Sequence, residues 1–113
     1  MHEFAIAQDI VSSLEQQLKE DLNMITSIEI EAGAFAGIVS DSLVFGLETI
    51  LAEKEIRDVD VMIRQVEAEA VCTCGTVYKL KDVFELCPQC GSAAREMKNG
   101  TDLSVKSVHL KEN

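Results

Sequence analysis

The densest chemistry in this chain of 113 residues lies in its four cysteines. They form two short groups, Cys72-Thr73-Cys74-Gly75 and Cys87-Pro88-Gln89-Cys90-Gly91, with twelve residues between Cys74 and Cys87. Two close-spaced pairs of thiolates suit a tetrahedral divalent metal, zinc above all, at bond lengths of about 2.3 Å. Gly91 permits the tight turn that brings backbone amides up to sulfur. The Cys-Pro-x-Cys-Gly group reads as a zinc-ribbon knuckle. The first group has a one-residue spacer, so the chain must bend at Thr73 for Cys72 and Cys74 to converge. Two other chemistries compete for these residues. A dithiol redox site needs a low-pKa cysteine at a helix N-terminus, and none is evident. Buried or free thiols without a metal are the plain alternative. Residues 71–98 hold few large apolar side chains, chiefly Val77, Tyr78, Leu80, Val83, Phe84 and Leu86. A metal would supply the stability such a module lacks. A site closed by four thiolates would stabilise the fold and perform no hydrolysis.

The second candidate site is the start of the chain, Met1-His2-Glu3. Initiator methionine is removed mainly before small residues, so Met1 is expected to stay and His2 to remain second. The α-amine of Met1, the deprotonated amide of His2 and its imidazole can then chelate one ion through fused five- and six-membered rings. Glu3 could add its amide nitrogen or a carboxylate oxygen. Tetragonal nitrogen sites of this kind suit Ni(II) or Cu(II). Only neutral imidazole binds, so acid should weaken the site. Spacing alone also fits a solvated terminal histidine with no ligand role.

The elements that would position these groups follow from periodicity. Residues 3–22 read as an amphipathic helix, with Phe4, Ile6, Ala7, Ile10, Val11, Leu14, Leu18 and Leu22 at three/four spacing. Residues 25–32 switch to period two around Ile28, Ile30 and Ala32. A second helix is expected over 41–54, capped by Ser40, with Leu43, Leu47, Ile50 and Leu51 inward and Val44 and Phe45 broadening that face. Strands are expected near 59–67 and 102–110, the latter with a possible bulge between Val105 and Val108. The expected architecture is α/β: a small three-stranded sheet covered by two helices, with an inserted zinc-ribbon domain. The domain division expected is 1–70 plus 99–113 for the α/β part and 71–98 for the ribbon.

Charge narrows the function. Ten Lys/Arg stand against 20 Asp/Glu, a net of −10. The excess is concentrated: residues 1–70 hold 4 basic and 15 acidic side chains, residues 71–98 hold 4 and 3. That distribution argues against nucleic acid and anionic membranes as partners and is compatible with cations and basic protein surfaces. No phosphate-cradling glycine loop and no nucleophile or acid–base arrangement is evident, so a non-enzyme is expected. The acidic start lacks the positive charge of a secretory leader, and no apolar run approaches a membrane span, so a cytoplasmic location with reduced thiols is expected.

Taken together, these pieces resemble the HypA/HybF family of hydrogenase nickel-incorporation accessory proteins. The resemblance rests on Met1-His2-Glu3 running into a helix, Ile28-Glu29-Ile30 ending at Gly33, and the Leu43–Glu48 segment. It continues through Glu67-Ala68-Glu69, Cys87-Pro88-Gln89-Cys90-Gly91-Ser92 and the last strand to His109-Leu110, and so covers essentially the whole chain. It implies a nickel metallochaperone for [NiFe]-hydrogenase maturation; separately, either a monomer or a homodimer is expected. Its implied partners are a HypB-type GTPase and the hydrogenase large-subunit precursor. It implies nickel as cargo at Met1, His2 and Glu3, and structural zinc at Cys72, Cys74, Cys87 and Cys90. The chain departs from the family pattern at Thr73, where two spacer residues are usual. Asp41 reads as a first-turn charge and His109 as an ordinary strand residue. The competing classes are a nucleic-acid-binding zinc ribbon, a thiol redox protein, and an assembly module with an inert N-terminus.

Overall fold

The computed structural model describes residues 2–112. Helix α1 (His2–Leu18) passes through a 3₁₀ segment (Lys19–Met24) into strand β1 (Ile25–Gly33). Helix α2 (Ser40–Glu53) and strand β2 (Asp60–Val66) follow, then β3 (Ala68–Cys72), β4 (Val77–Leu80), β5 (Arg95–Asn99) and β6 (Leu103–Leu110). The strands form two three-stranded sheets, ordered β2-β1-β6 and β4-β3-β5. The α/β class and the three-stranded sheet accompanied by two helices stand as expected. The second sheet flanks the two cysteine groups; its strands were not among those expected.

The chain divides into two compact units. One comprises the residues up to Glu31, Ile38–Arg64 and those from Ser104 on; the other comprises Ala32–Gly37 and Gln65–Leu103. The second is thus broader than the 71–98 stretch marked by the cysteines, and it takes in a short segment from much earlier in the chain.

In the first unit the helical periodicity translates directly into burial. Ala7, Val11 and Leu14 of α1 and Leu43, Leu47, Ile50 and Leu51 of α2 are buried, as are Ile28 and Ile30 of β1. The helices run side by side in the same direction. Glu3 meets Val39, Gly46 packs against Ala7, and Lys54 pairs with Glu15 at 2.9 Å. Three expectations are corrected. The α-helix stops at Leu18, because Lys19 takes φ 53°, and a 3₁₀ turn then delivers Leu22 to the core. Ser40 is the first helical residue, and Val39 occupies the cap position without a side-chain cap. Phe45 does not broaden the buried face; it is 70% exposed.

In the second unit β3 pairs antiparallel with both neighbours, placing Ala70 opposite Tyr78 and Cys72 opposite Arg95. The register with β5 shifts between Glu69 and Ala70. Its core is small: Ala68, Ala70, Cys72, Tyr78, Leu80 and Cys87, with Phe35 packed against it. Backbone hydrogen bonds seat the early segment, from Gly33 N–H to Asp102 O, Ala34 N–H to Val66 O and Phe35 N–H to Gly100 O, each 2.8 Å.

Candidate metal centre

Two turns present the cysteines. In the first, the Gly75 amide donates to Cys72 O at 2.9 Å and the Cys72 amide donates to Thr76 O at 2.9 Å. This is the bend the one-residue spacer demands, and Gly75 supports it at φ 95°. In the second, the Gly91 amide donates to Cys87 O at 2.8 Å and the Cys87 amide to Ser92 O at 3.0 Å. Strand β3 carries Cys72 to its turn, and the Thr73 amide reaches Ala94 O, which ties the first turn to the approach of β5.

The four sulfurs lie within 4.8 Å of one another, with Cys72 and Cys87 buried and Cys74 and Cys90 exposed. Cys72 Sγ is 3.4 Å from Cys90 Sγ, and Cys74 Sγ is 3.8 Å from Cys87 Sγ. A tetrahedron with bonds of about 2.3 Å separates its sulfurs by about 3.8 Å, so the donor set fits a four-coordinate soft divalent metal. The electrostatics agree. The Thr76 hydroxyl, 3.2 Å from Cys74 Sγ, and the Thr76 amide stabilise the Cys74 thiolate and lower its pKa to about 6. Burial opposes ionisation of Cys87, but the Cys90 and Gln89 amides outweigh it and lower its pKa. The Ser92 amide favours the Cys90 thiolate, yet the neighbouring Cys72 and Cys74 sulfurs override it and push Cys90 up to about 12. Four thiolates this close repel one another unless a cation sits among them.

At the start of the chain, Met1 lies outside the described residues. His2 and Glu3 form the first turn of α1, with His2 Nδ1 3.8 Å from Glu3 Oε2. His2 is exposed at 63%, whereas Glu3 is only 15% exposed. The Val39 amide donates to Glu3 Oε2 at 3.1 Å, and this bond holds the Glu3 carboxyl below the usual carboxylate range. One residue before α2 thus fixes an acid beside the chain start, a partnership across 36 positions that no local pattern announces. Asp41 and Ser42 line a cleft of about 320 Å³ with Glu3, Phe4, Phe45 and Gly46. Asp41 sits in the first turn of α2, the position expected of it. His109 is exposed on β6, where its carbonyl accepts from Thr26. Among the described residues, the four cysteines are the one cluster of three or more ligand side chains.

Fold and site define a class: a small two-unit α/β protein with four clustered cysteines that fit a tetrahedral metal. A family model described as hydrogenase/urease nickel incorporation, metallochaperone, hypA, matches residues 1–110, and the chain belongs to this HypA family. It is accordingly a nickel-incorporation protein of the hydrogenase maturation machinery. It is 29% identical to the hydrogenase maturation factor HypA of Parabacteroides distasonis, over 98% of each chain. It is 30% identical to that of Roseiflexus sp., over 99% of this chain and 94% of the relative. The solution structure of the Ni metallochaperone HypA from Helicobacter pylori shares the fold at TM-score 0.67 and 19% identity, covering 96% of both chains. A solution structure of a HypA protein does so at TM-score 0.70 and 21% identity, covering 98% of this chain and 97% of the other. Among the described residues no helix is long and apolar enough to cross a membrane.

Proposed function

We propose that the chain carries Ni(II) at Met1, His2 and Glu3 and passes it, with a HypB-type GTPase, to the [NiFe]-hydrogenase large-subunit precursor in the cytoplasm. A second metal, zinc, is held permanently by Cys72, Cys74, Cys87 and Cys90. The unit around Ala32–Gly37 and Gln65–Leu103 is then the zinc domain, and the helical unit is the nickel domain. The chain itself catalyses no reaction; its work is exchange of a ligand shell.

The observation that carries this reading is the contrast between the two donor sets. The four sulfurs converge from two hydrogen-bonded turns, Cys72 and Cys87 buried and Cys74 and Cys90 at the surface, and this full shell of four ligands suits a resident metal. His2 is open to solvent, while Glu3 beside it is anchored by the Val39 amide. An exposed chelate on a fixed base lets an incoming ligand displace the protein's own, as cargo requires. Copper would bind the same nitrogens more tightly by the general affinity order, so selectivity falls to metal supply and the partner.

The test is native mass spectrometry of untagged protein beginning at Met1, with nickel added after zinc has been counted. The reading expects one firmly held zinc and one exchangeable nickel per chain, with nickel lost in His2→Ala. Nickel binding that is unaffected by His2→Ala would overturn it.

A further inference from the structure

Helix α2 carries a surface that the metal sites do not use. Asp41, Phe45 and Glu48 fall at i, i+4 and i+7, which places them along one stripe of the helix. All three are exposed, and Phe45 is exposed at 70%. Val39, at 58%, adds a second apolar side chain immediately before the helix. One exposed apolar side chain on its own is ordinary, but aromatic rings are enriched where one protein surface meets another.

The stripe borders the cargo end of the unit. Phe45 lines the same cleft as Glu3 and Phe4, and the Val39 amide is the group that holds Glu3. Acidic charge predominates around it; a cation, Arg57, enters only at the Glu48 end, where the two line one pocket. Helices α1 and α2 carry Glu3, Asp9, Glu15, Asp41, Glu48 and Glu53 and no lysine or arginine. At the far end Lys54 offsets Glu15. Among the described residues no lysine or arginine forms an ion pair with Glu3, Asp41 or Glu48.

We infer that the Asp41–Phe45–Glu48 stripe, with Val39, is the docking surface for the protein that exchanges nickel with the chain. Its occupant is the face of a protein partner presenting an apolar socket ringed by lysine or arginine. The socket takes the Phe45 ring and the basic rim meets Asp41 and Glu48. This arrangement brings the partner's metal ligands beside Glu3, where the proposed ligand exchange has to occur. The inference rests on the proposed nickel reading for the partner's role, while the surface itself rests on exposure and charge. Anchoring by an aromatic within a charged rim divides the labour: the ring supplies residence time, and the carboxylates supply fast, salt-sensitive encounter.

The experiment uses the full chain and, as probe, the purified HypB-type GTPase of the same organism. Affinity is measured by fluorescence anisotropy at low and high salt for the wild type, Phe45→Ser and Glu48→Lys. Nickel uptake by each chain alone is followed in parallel by native mass spectrometry. The expected result is a loss of affinity of at least tenfold in Phe45→Ser. A smaller loss in Glu48→Lys, weaker wild-type binding at high salt, and unchanged nickel uptake by both variants complete it. Both positions are solvent-exposed, so Glu48→Lys keeps the test sharp even if Phe45→Ser folds poorly. Wild-type affinity in both variants would overturn the inference, as would no binding by the wild type, or loss of nickel uptake in the isolated variants. If the variants lose the partner but the wild type takes up no nickel, the docking surface stands and the nickel reading falls.

Discussion

Stripping the metal from the four cysteines should melt one unit and spare the other. The cysteine-bearing unit buries only Tyr78 and Leu80 as large side chains, with Phe35 packed against them. Three such side chains contribute roughly 4–9 kcal/mol by burial. So small a core cannot by itself hold β3, β4, β5 and the loops between them. A structural tetrathiolate zinc contributes about 10–16 kcal/mol at neutral pH and so exceeds the apolar core. The helical unit has no such dependence, since Val11, Leu43, Leu47, Leu51, Ile28 and Ile30 are all buried without reference to a metal. The assay is a two-dimensional amide NMR spectrum of reduced protein before and after a strong chelator, with circular dichroism alongside. Amides of Ala68, Ala70, Tyr78 and Leu80 should collapse to unstructured positions, while those of Val11 and Leu47 stay dispersed and the helical signal persists. Dispersed β3–β5 amides in metal-free, reduced protein would refute the reasoning.

Other consequences follow from single positions. Gly100 has φ 93°, and an added Cβ would lie 2.4 Å from the Ala68 Cα, so backbone, not a yielding side chain, blocks it. Gly100→Ala should therefore cost about 2–5 kcal/mol in chemical denaturation, from strain and overpacking together; a loss under about 1 kcal/mol would contradict the close approach. The Tyr78 hydroxyl is buried with no hydrogen-bond partner among the described residues. Tyr78→Phe should leave stability unchanged or raise it by about 1 kcal/mol, and a clear loss would show a partner for that oxygen. The Glu3 carboxyl is held below its ordinary value by the Val39 amide. Its stabilising tie is therefore fully present above that ordinary value and is lost as pH falls through the lowered one. The Val39 amide resonance should move with a midpoint below the usual glutamate range and should stop titrating in Glu3→Gln.

What the sequence announced and what it hid separate along the line between local and distant contacts. The cysteine groups were legible because ligand spacing is a property of a few consecutive residues; even the bend at Thr73 followed from the one-residue spacer. The inward faces of α1 and α2 were legible because Leu14, Leu43, Leu47 and Leu51 recur at helical spacing. Strand β3 was not. Its inward residues are Ala68, Ala70 and Cys72, whose alternation is real but carries little hydrophobic weight. Phe35 stands alone in a loop, and only packing against the distant Tyr78 cluster assigns it to a core. Phe45 adjoins a run of buried neighbours, yet its spacing from Asp41 and Glu48 placed it on the polar stripe, and that stripe decided its exposure. The bond from Val39 to Glu3 and the meeting of Gly100 with Ala68 join residues far apart in the chain, and no local period encodes them.

The central proposal is that one chain handles two metals differently, nickel at Met1, His2 and Glu3 and zinc at its cysteines. Acetylating the Met1 α-amine removes one proposed nickel ligand while leaving every side chain intact. Acetylated and free-amine protein would be loaded with zinc and nickel together, dialysed against a weak chelator, and both metals counted per chain. The account predicts one zinc in each sample, and nickel retained by the free-amine protein alone. Equal nickel in both, or nickel displaced only when the cysteines are oxidised, would contradict it.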